Sequence, residues 1–309
     1  MAHCWVNGQL IDENAATISL NDTGLLHGAG LFTTMRAYHG VVYRIADHLR
    51  RLRSSCETLM IPLAWKDEDL IAAVNALLKA NALGDARLRL TVTRGRMIHD
   101  AEQIRLAPTA FLTAVPLQPY PKDHYEKGIT ATVCDRFKLN PFDILAGHKA
   151  LDYVGRFAAL NDARQIGATE AIWFNVYNYL QAGSISNIFI VRSATLYTPP
   201  TPADLNDQQI AQRTPYSRSN VLPGVARQTV MEIAQRQDVP VIIGPLTIND
   251  LLSADECFVT NSIMEVMPVC RIERKGIGKE QPGDLTRRIS MLYRSSVECF
   301  VRGDSGSKP

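Results

Sequence analysis

Hydrophobic and polar positions alternate at the start of the chain with the two-residue period of a β-strand. Apolar residues of CWVNGQLI flank Asn7 and Gly8, and those of LFTTMRAYHGVVYRI flank His39 and Gly40. Asn-Gly is the strongest short signal for a two-residue turn, because both residues tolerate a positive φ. The pattern therefore predicts that two β-hairpins open the chain.

The spacing then changes to that of a helix. ADHLRRLRSSCETLM repeats apolar residues every three or four positions, which predicts a helix with Asp47 as its N-cap. KDEDLIAAVNALLKANAL predicts a second helix that ends at Gly84. ARLRLTVTRG and TAFLTAVPL alternate again and predict two strands.

The periodicity stops at QPYPKDHYEKG, where prolines and charges predict a linker over residues 119–128. Beyond it, strands are predicted in ITATVCDRF, EAIWFN, SNIFIVR and ECFVTNS. Helices are predicted over residues 151–166, in VARQTVMEIAQRQ and in GDLTRRISMLYRSSVECFV, and residues 199–218 are predicted as a loop. The expected protein is α+β, with a small domain over residues 1–118, a large domain over 129–302 and a disordered tail over 303–309.

Composition narrows the class of partner. The 309 residues include 33 basic and 31 acidic side chains, so the formal net charge is only +2, and the two signs are interspersed. Such a chain lacks the basic stripe that binds nucleic acid or an anionic membrane, and no run of eighteen apolar residues predicts a membrane span. A small-molecule partner is expected.

The cysteines indicate the compartment. Six of them are scattered along the chain, without a CxxC pair and without histidines at metal-ligand spacing. Nor does MAHCWVNGQL have the basic and then apolar composition of a secretory signal. We therefore expect reduced thiols, no bound metal and a cytoplasmic protein.

One lysine stands out chemically. Lys149 lies within LNPFDILAGHKALDY, a largely apolar segment. A lysine in such a run either extends its ammonium to the surface or serves as a nucleophile whose amine is readily deprotonated. The segment by itself leaves both readings open.

From VNGQLI to PGDLTRRI, the chain resembles the class IV aminotransferases, the fold-type IV pyridoxal-phosphate enzymes that include branched-chain and D-amino-acid aminotransferases and aminodeoxychorismate lyase. The resemblance implies a small N-terminal domain, a larger domain with a barrel-like β core flanked by helices, and a homodimer. It also implies that Lys149 forms the Schiff base with pyridoxal 5′-phosphate. Amino acids and 2-oxo acids would be the substrates.

The same resemblance assigns the remaining contacts of the cofactor. In HLRRL, Arg51 stands at the position of a phosphate-binding arginine, and LPGVAR supplies a glycine turn into a helix whose N–H groups would face the phosphate. Tyr153 would lie near the phenolic oxygen of the cofactor. The other residues implied as cofactor contacts are Ser186, Asn187, Gly224, Val225, Ala226, Asn261 and Ser262.

The chain departs from the family pattern at Ala182. Related enzymes have a glutamate five residues before the asparagine at 187, and it pairs with the protonated pyridine nitrogen of the cofactor. Here that position holds alanine. Gln181 is adjacent, but in a strand its side chain would point to the opposite face. The missing carboxylate weakens the electron sink. Three explanations stay open: a distant group or water replaces it, the chain is an altered or degenerate member of the family, or its chemistry tolerates a neutral pyridine.

The signals for substrate conflict. FTTMR, with Thr34 and Arg36, and Asn261 resemble the lyase, whereas the continuation TRGRMIHD does not. Arg94, Arg96 and His99 lie where relatives place a carboxylate-binding group, and Arg96 is the candidate. Three functions therefore stay open: an aminotransferase, an aminodeoxychorismate lyase that releases pyruvate and 4-aminobenzoate, and a pyridoxal-phosphate-binding protein with weak turnover.

Overall fold

The computed structural model describes residues 2–99 and 104–303, which form two compact units. The first unit contains the described residues up to 118 together with 148–152 and 300–303. The second contains 119–147 and 153–299. The domain boundaries drawn from the sequence stay a prediction, and the segment 148–152, which carries Lys149, groups with the first unit.

In its described residues, the first unit combines a six-stranded sheet with helices α1, α2 and α3. Its sheet has the order β2-β1-β6-β5-β3-β4, and every pair of neighbours is antiparallel. The elements are β1 (His3–Val6), β2 (Gln9–Asp12), α1 (Thr23–His27), β3 (Gly30–Tyr38), β4 (Val41–Val42), α2 (Ile45–Thr58), α3 (Asp67–Ala80), β5 (Ala86–His99) and β6 (Ile104–Pro116).

Both predicted hairpins are confirmed. β1 pairs with β2, and β3 pairs with β4, with positive φ angles at Asn7, Gly8, His39 and Gly40. The predicted cap of α2 is wrong. The helix begins two residues before Asp47, and that carboxylate instead accepts hydrogen bonds from Arg44 and Arg50.

The core of the first unit lies between the sheet and two helices. α2 packs on β3, and α3 packs on β1 and β6. Their apolar stripes meet the inward positions of the long central strands, where the side chains are fully buried. β3 is therefore fixed from one face by α2 and from one edge by β5.

The second unit is built on a curled, half-barrel sheet with the order β12-β11-β10-β13-β14-β7-β8-β9 and with β15 beside β14. Its first elements are α4 (Lys122–Glu126), β7 (Ile129–Val133), α5 (Val154–Gln165), β8 (Glu170–Phe174), β9 (Leu180–Gly183), β10 (Asn187–Arg192), β11 (Thr195–Thr198) and α6 (Gln208–Arg213). The later elements are α7 (Val225–Arg236), β12 (Val241–Ile243), α8 (Ile248–Leu252), β13 (Glu256–Asn261), β14 (Glu265–Ile272), β15 (Lys275–Gly276) and α9 (Asp284–Arg302).

Two apolar clusters of described residues lie in this unit. The larger one includes Ile172, Ile188 and Val259 from the sheet, and the smaller one joins Ala171 and Trp173 of β8 to α5. Successive residues of β8 thus enter different clusters, as the alternation of a strand requires. The sequence analysis missed α1, α8, β9, β11, β12, β14 and β15, together with the helices within 119–128 and 199–218. Within the described residues, no helix is both long and apolar enough to cross a bilayer.

Candidate active site

Backbone pairing holds Lys149 at the edge of β3. Phe32 donates its N–H to the carbonyl of Lys149 at 2.9 Å, and Leu151 donates to the carbonyl of Gly30 at 3.0 Å. A Cβ atom on Gly30 would lie 2.6 Å from the Leu151 side chain and 2.8 Å from the Val92 carbonyl. Glycine is therefore needed for this close approach, which fixes the backbone that carries the amine.

The amine of Lys149 shares an aromatic ring with a guanidinium. Its Nζ lies 4.6 Å from the centre of the Phe32 ring, and Cζ of Arg89 lies 3.6 Å from the same centre. Arg89 also donates from Nε to the Thr91 hydroxyl at 3.1 Å. Two cations therefore flank one ring, with their charges oriented by cation–π contacts.

The neighbouring residue of β3 organises a third cation. Thr33 shares a 2.8 Å hydrogen bond with Nδ1 of His48, and Arg51 donates from Nη2 to the Thr33 hydroxyl at 3.1 Å. Burial lowers the pKa of His48 well below its ordinary value, and the charges of Arg51, Lys149 and Arg44 lower it further. A neutral imidazole thus sits among the cations of this cluster. We call Lys149, Phe32, Thr33, His48, Arg51 and Arg89 the lysine cluster.

The predicted substrate residues of the first unit have different surroundings. Thr34 and Arg36 are half-buried on β3. Both Arg94 and Arg96 are exposed. Arg94 lies within a bulge of β5, and Arg96 is the first paired residue after it. The side chain of His99 lies outside the described part of the structure. Sequence reasoning missed Arg89, since identifying it required the register that pairs it with Thr34.

In the second unit, several predicted residues meet around two turns. Asn187 donates from Nδ2 to the Leu222 carbonyl at 2.9 Å, and its Oδ1 lies only 2.0 Å from where a Cβ atom on Gly224 would be. Asn261 donates from Nδ2 to the Ile185 carbonyl at 3.1 Å. These two asparagines therefore join the loop before α7 to the turns that follow β9 and β13.

The start of α7 has backbone donors of the kind that bind anions. Gly224 is the N-cap residue and has no side chain to accept from the first N–H groups, which belong to Val225 and Ala226. A helix N-terminus of this type favours a negative ligand. Ser262 lies in the turn after β13. In this turn, Oδ1 of Asn261 accepts hydrogen bonds from the N–H groups of Ile263 and Met264.

A buried acid that sequence reasoning missed, Glu170, stabilises the turn after β9. Glu170 accepts hydrogen bonds from the N–H groups of Ala171 at 3.0 Å and Ser184 at 2.9 Å, and from the Ser186 hydroxyl at 2.7 Å. Burial raises the pKa of this carboxyl, although its hydrogen bonds oppose the shift. The available signal was one acidic residue in the apolar run EAIWF.

Ala182 lies on β9 directly across from Trp173, and both are buried. The adjacent Gln181 is fully buried and engaged elsewhere: its Oε1 accepts from the Asn220 N–H at 3.2 Å. Tyr153 is the N-cap residue of α5 and is half-buried.

Comparison with known proteins gives the arrangement its context. Residues 30–272 match the family described as amino-transferase class IV. A protein assigned as a branched-chain-amino-acid aminotransferase in Methanocaldococcus jannaschii is 32% identical, over 94% of each chain. D-alanine aminotransferase of Staphylococcus haemolyticus is 26% identical, over 96% of this chain and 99% of the relative. The structure of 4-amino-4-deoxychorismate lyase from Pseudomonas aeruginosa matches with a TM-score of 0.79 and 28% identity, over 95% of this chain and 99% of that one.

The chain belongs to the amino-transferase class IV family. Its mixed fold with a curled half-barrel sheet is fold-type IV, as the resemblance predicted. Enzymes of this family are pyridoxal-phosphate-dependent aminotransferases or lyases. Each unit by itself has residues that fit that cofactor chemically. Within the first unit, the lysine cluster offers an amine and a guanidinium. Within the second unit, the start of α7 has backbone N–H groups of the kind that bind a phosphate.

The neutral state of His48 makes stability depend on pH. Its folded pKa lies below the ordinary value of 6.5, so the stabilising difference is fully present above that pH and is lost as the pH falls. Each pH unit should lower the unfolding free energy by at most about 1.4 kcal/mol for this proton. His48→Asn should reduce this acid-side slope in urea unfolding measured from about pH 7.5 to about pH 5.

The control for this measurement is Leu52→Ala, a buried substitution on the same helix. It should lower stability by about 2–5 kcal/mol at every pH and leave the slope in place. An unchanged slope in His48→Asn would contradict the prediction.

Proposed function

We propose that this protein is a pyridoxal-phosphate-dependent aminotransferase that moves an amino group between an amino acid and a 2-oxo acid. The observation that carries the proposal is the lysine cluster, in which backbone pairing to β3 fixes Lys149 and Arg89 lies over the same ring as the Lys149 amine. An amine and a guanidinium held together suit a substrate that has both a carbonyl and a carboxylate.

The phosphate of the cofactor needs several donors. From the first unit we propose Arg51, whose guanidinium is already oriented by the Thr33 hydroxyl. From the second unit we propose Ser262 and the N–H groups of Val225 and Ala226 at the start of α7. A guanidinium, a hydroxyl and helix N–H groups are each suited to a dianion.

Each catalytic step can be assigned to a residue of the chain. When bound, pyridoxal phosphate withdraws electrons from the Cα atom of the substrate. Lys149 would hold the cofactor covalently, give way to the amine of the substrate, and then carry the proton from Cα to C4′. Tyr153 would donate to the phenolic oxygen, and Ser186 and Asn187 would shape the turn beside the ring.

We propose Arg89 as the group that binds the carboxylate of the substrate. Its planar fork matches a carboxylate, and it lies beside the ring that the Lys149 amine approaches. The residues predicted from the sequence, Arg96 first and with it Thr34, Arg36 and His99, stay candidates for the rest of the substrate pocket.

Two other functions have specific support. An aminodeoxychorismate lyase is favoured by FTTMR, by Asn261 and by the similarity to the Pseudomonas aeruginosa lyase. Weak turnover is favoured by Ala182, because the carboxylate that related enzymes place beside the pyridine nitrogen is replaced by a methyl group. The three functions share the cofactor and differ in what happens after Cα is activated.

A substrate panel separates these functions. Purified protein loaded with pyridoxal phosphate should convert 2-oxoglutarate to glutamate with at least one donor among branched-chain and D-amino acids. Release of 4-aminobenzoate from aminodeoxychorismate, with no transfer to 2-oxoglutarate, would instead identify the lyase. A bound cofactor with no product from either reaction would favour weak turnover.

The panel also tests the carboxylate site. Arg89→Lys should raise KM for the amino donor by about tenfold or more, since a point charge cannot replace a bidentate fork and a charge-assisted hydrogen bond is worth about 1.5–3 kcal/mol. Arg96→Lys is the matched substitution in the same strand. A large KM effect in Arg96→Lys and none in Arg89→Lys would reverse the assignment.

Covalent attachment gives a test that does not depend on turnover. Borohydride reduction of the loaded protein, followed by peptide mass mapping, should find the pyridoxyl group on Lys149. Lys149→Ala should lose the adduct and reduce turnover by at least about a hundredfold, the scale of a general acid–base contribution. An adduct on another lysine, or none with added cofactor, would remove the basis of the proposal.

We further propose a homodimer. The second unit exposes large apolar side chains that a single copy leaves in water, among them Phe142, Ile144, Val154 and Phe157, each more than half exposed. Four such residues within one stretch of the chain, residues 142–157, favour a protein contact there. Closed two-fold symmetry is the commonest way to bury it.

Sedimentation equilibrium should give twice the 34.3 kDa mass of one chain. Phe157→Glu should shift the equilibrium toward monomer, because a charge would be buried in the contact. As a control, Met60→Glu alters an exposed apolar residue of the first unit. A stable, fully active monomer would contradict this proposal.

A cytoplasmic location completes the proposal. All six cysteines have free thiols, five of them buried. Burial raises the pKa of Cys56 to about 11 and that of Cys270 to about 11, which makes these thiols poor nucleophiles. A reducing compartment suits such a protein.

A further inference from the structure

A cation and an indole line the face of β9 that carries Ala182. Trp173 is the cross-strand partner of Ala182, so the two side chains share a face. Arg156, in the first turn of α5, donates from Nη1 to the carbonyls of Gly183 at 3.2 Å and Ser184 at 3.0 Å. These are the two carbonyls that follow Ala182 in the chain.

The indole fills the space that a small residue leaves beside this cation. The tip of the Trp173 ring reaches within 3.7 Å of where a Cβ atom on Gly155 would lie. Its Nε1 donates to the Ser184 hydroxyl at 2.8 Å. Cζ of Arg156 lies 5.8 Å from the centre of the same ring. The guanidinium is thus located by two carbonyls and an aromatic ring.

The carboxyl group of Glu170, which is hydrogen-bonded to the turn after β9, lies on the other face of the sheet from Ala182. Glu170 is two residues before Ile172, which pairs with Gly183, and a Cβ atom on Gly183 would lie 2.7 Å from the Glu170 carboxyl. Ala182 points the opposite way. Glu170 therefore cannot take the place of a carboxylate at position 182.

Arg156 also lies next to the residue expected beside the cofactor ring. Its Cζ is 5.7 Å from the centre of the Tyr153 ring. In pyridoxal, only one carbon separates the ring nitrogen from the carbon that bears the phenolic oxygen. A group located between Tyr153 and the turn after Ala182 is therefore well placed to face the nitrogen.

We propose that Arg156 faces the pyridine nitrogen of the cofactor in this chain and keeps that nitrogen unprotonated. The proposal rests on the proposed function, in which Tyr153 lies near the phenolic oxygen. A guanidinium does not give up its proton, so the nitrogen accepts a hydrogen bond and carries no charge. Position 182 then needs no acid, since a carboxylate there would pair with Arg156.

Other charged side chains near this face are already engaged. Arg136 pairs with Asp162 of α5 at 3.7 Å, and Nζ of Lys138 lies 5.2 Å from the centre of the Phe174 ring. Burial raises the pKa of Cys134, which keeps this thiol neutral. Arg156 is therefore the cation to vary.

The test measures the nitrogen directly. Protein loaded with pyridoxal phosphate labelled with nitrogen-15 in its ring should show an unprotonated nitrogen at neutral pH by NMR. Arg156→Gln should raise the midpoint of nitrogen protonation by about one pH unit or more, because a nearby positive charge disfavours protonation. Arg156→Lys, which keeps the charge, should restore most of the low midpoint. Arg164→Gln, an exposed arginine at the other end of α5, should change nothing.

The outcomes separate this assignment from the function on which it rests. Loss of the Lys149 adduct in the unsubstituted protein would overturn both. An intact adduct with a protonated nitrogen at neutral pH, or an unchanged midpoint in Arg156→Gln, would overturn the assignment of Arg156 alone. The protonation state of the nitrogen is measured in the unsubstituted protein. The assignment of Arg156 can therefore be overturned even if the Arg156→Gln variant fails to fold.

Discussion

Two backbone hydrogen bonds between residues 149–151 and the first residues of β3 are the constraint on which the lysine cluster depends. A lysine side chain has four rotatable bonds, so its amine can be positioned for catalysis only if its Cα is fixed. Pairing to a strand that is itself buried between α2 and β5 supplies that anchor. The same strand then presents Phe32 on one face and Thr33 on the other, so one element orients the lysine, an arginine above the ring and the Arg51–His48 pair.

The like charges of Lys149, Arg51 and Arg89 repel one another, and two features of the lysine cluster limit the cost of this repulsion. His48 stays neutral, since burial and the neighbouring charges both disfavour its protonation. Aromatic rings and the Thr33 hydroxyl hold the remaining charges in fixed directions. The Arg51 guanidinium, which the Thr33 hydroxyl holds in place, suits a phosphate, and this is the physical basis for assigning it to a phosphate-bearing cofactor.

In the second unit, buried polar side chains hydrogen-bond backbone groups of the turns, which have no partners in helices or strands. Glu170 holds the turn after β9 through the Ser184 N–H and the Ser186 hydroxyl, and Asn187 and Asn261 tie that turn to two other segments. Irregular backbone leaves N–H and C=O groups that must find partners when buried. These hydrogen bonds hold the turns in one conformation. They also put the start of α7 beside Asn187.

The sequence by itself determined the features that local patterns encode: the two opening hairpins, α7 and α9, the family, and the identity of Lys149 as the candidate nucleophile. It placed the cap of α2 wrongly, because Asp47 binds Arg44 and Arg50 instead. Arg89, Glu170 and Arg156 were visible only in the tertiary structure. Each acquires its meaning from a partner far away in the chain, across a strand pair or between a helix and a turn, and strand register is set by the packing of the whole sheet and not by neighbouring residues.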